Sequence, residues 1–193
     1  MERAVCLVDY DNVRNVRERT MADVDLNLDI LVERLVAISK TMATTINELL
    51  LRLYGGWVDE YGRLTKNAEW ILALLSQQRG RRSGVRIKPT LITSLAASPA
   101  DRLVGTFRSL VTPPRQKMVD GILTLDAVYF AEQGDWLVFI VSDDDDLVPA
   151  ALAASGRLVI SERSICLVRK RLPGEGLNDS LLVRCEVALR GLN

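Results

Sequence analysis

The chain has 193 residues, enough for one sizeable domain with a real core, and 48% of them are hydrophobic, which excludes general disorder. Lysine and arginine total 25 and aspartate and glutamate 25, so no net field draws the chain to nucleic acid or to an anionic membrane, and any polyanion site must be a local patch. Histidine is absent, which removes Ser-His-Asp and Cys-His triads and the usual histidine-based zinc sites.

Residues 4–9 (AVCLVD) form a short apolar, β-branched run that meets acidic residues at its end, the pattern of a buried strand. After a charged stretch, residues 26–43 keep Leu28, Leu31, Leu35 and Ile38 at helical spacing. Residues 48–57 read as a strand closing at Gly55-Gly56, and 66–78 as a helix. Residues 85–92 read as a strand in which Pro89 predicts an edge position or a break. The segment 93–115, rich in Pro, Gly and small polar residues, reads as a flexible loop or insertion. A helix is expected over 117–133, a central strand over 136–142 and a helix over 144–154 stopped by Gly156. A strand over 164–170 and a final helix over 178–190, capped by Asn178 or Asp179, complete the chain. This alternation predicts one α/β domain over residues 1–193, with a mostly parallel central sheet flanked by helices. In such sheets ligands bind beyond the carboxyl ends of the strands.

Cys6, Cys166 and Cys185 are widely spaced among apolar neighbours, so they read as buried free thiols in a reducing, cytoplasmic setting. No apolar run has the length of a membrane span, and the opening residues lack a signal-peptide plan.

Two of the strongest strand signals run directly into carboxylates. The first gives VDYDN, with Asp9, Asp11 and Asn12; the second gives VSDDDDL, with Asp143 to Asp146. Asp120 and Asp126 lie in the helix before the second strand. Crowded carboxylates raise one another's pKa and are costly unless a cation neutralises them. Oxygen donors alone suit Mg²⁺ or Mn²⁺. A lone Asp after a strand is commonly a helix cap, but one helix start needs one cap, not four. Asp120 and Lys117 share a helical face at i, i+3. Asp126 stands about 240° around the helix from Asp120, so the two do not face one ion, and Asp126 reads as structural.

Taken together, VDYDNV (8–13), KMVDGILTLDA (117–127) and IVSDDDDLVPAA (140–151) resemble three motifs of the NYN domain family, a branch of the PIN-like nucleases. Asp143, Asp145 and Leu147 stand where that family usually has Gly, Ser and Phe. The resemblance implies a Rossmann-like PIN fold and metal-dependent hydrolysis of phosphodiester bonds, with RNA the favoured substrate. It implies Asp9, Asp120, Asp144 and Asp146 as the catalytic, metal-holding carboxylates, with Asn12 orienting them or binding substrate nearby; Lys117, one turn from Asp120, is the best single candidate for a substrate phosphate. It also makes a homodimer a candidate assembly. Basic clusters that offer phosphate contacts follow the first acidic motif (Arg14, Arg17, Arg19) and the 164–170 strand (Arg169, Lys170, Arg171); a third is Arg79, Arg81 and Arg82. Two other readings stay open. One is a non-catalytic module that binds RNA or a protein through a vestigial acidic site. The other is a haloacid-dehalogenase-like phosphatase, with Asp9 as nucleophile and Asp11 as acid/base.

Overall fold

A computed structural model describes residues 2–59, 61, 63–92, 107–108, 116–158, 165–171, 174–176 and 178–192. The first strand, β1 (Glu2–Asp9), is buried on both faces from Ala4 onward and therefore takes apolar residues continuously. It passes into a single turn, α1 (Tyr10–Val13), and then into α2 (Met21–Met42). Thr20 starts α2 with a capping box, its side chain taking the Asp23 N–H while Asp23 returns to the Thr20 N–H. Strand β2 (Ile46–Tyr54) and helix α3 (Lys66–Gln78) follow, the helix capped by Thr65.

Strands β3 (Gly80–Arg82) and β4 (Val85–Leu91) make an antiparallel hairpin. Ser83 and Gly84 turn it with φ of 50° and 84°, the left-handed pair that matches strand twist. A two-residue ladder, β5 (Phe107–Arg108) with β6 (Gln116–Lys117), precedes α4 (Val119–Glu132). Then come β7 (Trp136–Val141), a 3₁₀ turn at Asp145–Leu147, α5 (Val148–Ser155) and β8 (Ile165–Arg169). Helix α6 (Asp179–Arg184) and β9 (Ala188–Gly191) end the order.

The main sheet runs β3-β4-β2-β1-β7-β8-β9, with every neighbouring pair parallel except β3 on β4. Side chains alternate across it. Ala4, Cys6 and Val8 pack under α2 and α3, while Val5 and Leu7 pack under α4, α5 and α6. The strand order reverses between β1 and β7, and the helices change face there, which opens a crevice at the carboxyl ends of those two strands.

The α/β expectation with a mostly parallel sheet holds. Three local expectations do not. The helix expected over 178–190 stops at Arg184; Glu186, at φ 60°, turns the chain, and Ala188–Gly191 pairs with β8 as a strand. The helix expected from Asp144 begins instead as the 3₁₀ turn, and α5 starts at Val148 with Pro149 in its first turn. Cys185 is exposed, although Cys6 and Cys166 are buried. Pro89 sits where β3 no longer covers β4, so its missing N–H costs no ladder bond on that side. Most of 93–115 lies outside the described residues.

Candidate functional site

Asp9 is the last residue of β1 and is fully buried. Its Oδ2 accepts from the Asn12 amide and from Ser142 Oγ at 2.9 Å. Its Oδ1 is buried with no donor at all. Burial pushes the Asp9 carboxyl up to about 6; the Asn12 and Ser142 bonds oppose the push, and the charges of Asp120 and Asp11 add to it. Ser142 closes β7 and is itself buried, and it also accepts the Asp144 N–H at 3.1 Å. One hydroxyl thus ties the ends of the two central strands together.

The run Asp143 to Asp146 divides by alternation. Asp143 Oδ1 accepts the backbone N–H of Lys170 at 2.9 Å and of Arg171 at 3.3 Å. Asp145 Oδ1 accepts from Arg169 at 2.7 Å and Arg171 at 2.6 Å. Both odd-numbered carboxylates are therefore engaged by the end of β8. Asp144 and Asp146 act instead on Asp120, in the first turn of α4. There they and partial burial hold the Asp120 carboxyl above its ordinary range, burial contributing most. Asp144 also caps the 3₁₀ turn, its Oδ1 taking the Asp146 N–H at 2.9 Å.

The structure thus places Asp9, Asp120, Asp144 and Asp146 around one crevice, with the Asp120 charge helping to raise the Asp9 pKa and Asp144 and Asp146 helping to raise that of Asp120. Among the described residues no three of these side chains close on a point as a finished cage. The chemistry still suits a hard divalent cation. Mg²⁺ keeps several waters and typically needs one or two protein carboxylates plus substrate phosphate oxygens. Asp9 Oδ1 is the kind of buried, unsatisfied oxygen that such an ion would satisfy.

Asn12 donates to Asp9 and so orients it, the first of the two roles expected of it. Lys117 does not share a helical face with Asp120: it pairs by backbone with Phe107 in β6, Met118 turns the chain at φ 65°, and α4 starts at Val119; the Lys117 side chain lies outside the described residues. Asp126 binds Arg52 at 2.7 Å and the Tyr54 hydroxyl at 2.6 Å, a structural role in keeping with its helical phase. Arg81 and Arg82 lie in β3 at the opposite, amino end of the parallel strands, remote from the carboxylates.

Two features escape the sequence. Ser142 is an ordinary strand-end serine until Asp9 is placed beside it. Glu18 lies in a charged stretch, yet its side chain is completely buried. It accepts from Tyr10, from Asn27 at 3.0 Å and from Asn67 at 2.6 Å, and so braces the loop after α1. Neither family models, nor curated protein sequences, nor solved structures yield a match to this chain, so the reading of the site rests on its own residues.

Proposed function

We propose that the chain is a divalent-metal-dependent nuclease that hydrolyses phosphodiester bonds, with RNA the favoured substrate. The observation that carries this reading is the buried, donor-less Oδ1 of Asp9, set opposite Asp120, Asp144 and Asp146 at the crevice where the sheet order reverses. Asp9, Asp120 and Asp144 would hold Mg²⁺ or Mn²⁺, with Asp146 at the rim. When bound, the ion lowers the pKa of water and offsets charge on the phosphoryl oxygens. The chain's own part is placement. Asn12 and Ser142 fix the Asp9 carboxylate, and Ser142 links it to the Asp144 backbone. Asp143 and Asp145, held by β8, keep the acidic loop from collapsing on itself. RNA as substrate follows from the resemblance of the three motifs to NYN domains.

The phosphatase reading needs Asp11 as an acid/base beside Asp9. Asp11 is ion-paired with Arg14 at 3.1 Å, which weighs against that role. The test is cleavage of a labelled single-stranded RNA in Mn²⁺, Mg²⁺ or EDTA, with Asp9→Asn and Asp144→Asn beside the parent protein. Metal-dependent cleavage lost in both variants supports the reading. Folded protein that cleaves neither RNA nor DNA with any metal sinks it.

A further inference from the structure

Beside the acidic crevice, on the α2–α3 side of the sheet edge, basic side chains gather from four separate elements. Arg14 follows α1, and its carbonyl oxygen accepts from Lys170 Nζ, at the end of β8. Arg34 of α2 reaches the next residue, donating to Asn15 Oδ1 at 3.3 Å. Lys170 is held below its ordinary range by burial first, with Asp143 opposing and Arg14 and Arg34 adding to the shift. On the other side of Arg14 a hollow of about 290 Å³ opens against the first turn of α3, lined among others by Arg14, Lys66, Asn67 and Asp11. Arg34 and Lys66 have no carboxylate partner among the described residues. Arg14 also carries Asp11 at 3.1 Å and Glu18 at 3.5 Å, and Asp143 acts on Lys170, so the positive surplus of this seam rests on Arg34 and Lys66, in a chain of zero net charge.

We propose that this seam binds the sugar–phosphate backbone of single-stranded nucleic acid, the hollow between Arg14 and Lys66 seating a phosphate adjacent to the one at the acidic crevice. The proposal rests on the nuclease reading only for that register. The hollow is at or below the low end of pockets that enclose whole ligands, roughly 300–1,000 Å³, and suits one sugar–phosphate unit. Trp57 lines it, but the ring is buried, packs on Tyr10 and donates to Leu53 O, so it offers no face for a base. Recognition is therefore of charge and backbone, without sequence preference.

The test is fluorescence anisotropy of a labelled single-stranded RNA 12-mer in EDTA, titrated with protein across about 50–200 mM salt. Each phosphate contact contributes about −0.7 to the slope of log K against log salt for a single strand. Lys66→Ala and Arg34→Ala are each expected to make the slope shallower by about that amount and to weaken binding severalfold at low salt. Arg157→Ala, just beyond the end of α5 and away from the seam, should leave both unchanged. An unlabelled single-stranded DNA competitor is expected to displace the RNA, and a duplex to do so poorly. Absence of single-strand binding, or slopes unaltered by Lys66→Ala and Arg34→Ala, would overturn the proposal. Binding with these slopes but no cleavage in Mn²⁺ would leave the seam standing and remove the nuclease reading.

Discussion

Replacing Asp126 by alanine is the sharpest test of how α4, and with it Asp120, is held. The Asp126 carboxylate is buried, and one oxygen takes both the Arg52 guanidinium at 2.7 Å and the Tyr54 hydroxyl at 2.6 Å. Arg52 Nε also donates to the Tyr54 oxygen at 2.9 Å, so the three side chains act as one unit joining β2 to α4. Removing one partner of a buried pair leaves the other charge uncompensated, which costs about 3–5 kcal/mol. The Arg52 side chain keeps 12% of its surface in solvent, which favours the lower part of that range. With a urea m-value of about 2 kcal/mol per molar, the unfolding midpoint should fall by about 1.5–2 M. Tyr54→Phe should cost about 2 kcal/mol, the loss of one hydrogen bond to a charged group. Because the two changes remove the same contact, the double variant should be less destabilised than the sum by about 1 kcal/mol or more. A loss below about 1 kcal/mol for Asp126→Ala, or strict additivity, would refute the reasoning.

Three further expectations concern the crevice. Asp9 titrates at about 6 in the folded chain, against about 3.9 unfolded, so the folded state holds that proton more tightly. The linked stability, up to about 3 kcal/mol, is complete below about pH 4 and lost as pH rises through about 6; Asp9→Asn should flatten this limb in metal-free urea titrations. Mn²⁺ or Mg²⁺ at about 100 times its Kd should add about 2.7 kcal/mol and raise Tm by roughly 5–10 °C; calorimetry with EDTA reversal checks it, and Asp9→Asn should abolish the gain. Asp144→Asn should lower kcat by about 100-fold or more at unchanged stability, whereas Asp145→Ala should leave the buried Arg169 with Asp179 at 3.7 Å as its remaining carboxylate and cost about 1.5–3 kcal/mol; activity and urea midpoints measured together separate the two.

The parts of this fold that were legible in the sequence are those whose signals are local. β1 and β7 are continuous apolar runs because both their faces are covered, and that same burial ends them on Asp9 and Ser142. The phase of Asp126 against Asp120 follows from helix geometry alone. β3 was hidden because its residues, Gly-Arg-Arg, bury nothing that reads as a strand; only the Ser83-Gly84 turn marks it. β9 was hidden because Glu186 makes its left-handed turn without a glycine or proline to announce it. The division of labour within Asp143–Asp146 was beyond local reading, since it is made by Arg169 and Arg171, residues that the fold brings alongside from a later strand.

That division has a consequence for how the loop tolerates change. Around Asp144 the backbone is extended, with φ −82° and ψ 128°, and from Asp145 it coils into the 3₁₀ turn; Asp143 and Asp145 meet the residues at the end of β8, while Asp144 caps the turn. The run is therefore read by position, fixed at one end by β7 and at the other by Pro149. Deleting a single aspartate would move every later carboxylate back by one position, so that Arg169 and Arg171 would no longer meet the residue that now engages them. Four identical residues in a row look interchangeable and tolerant of slippage, yet their identity conceals a frame that the protein cannot afford to lose.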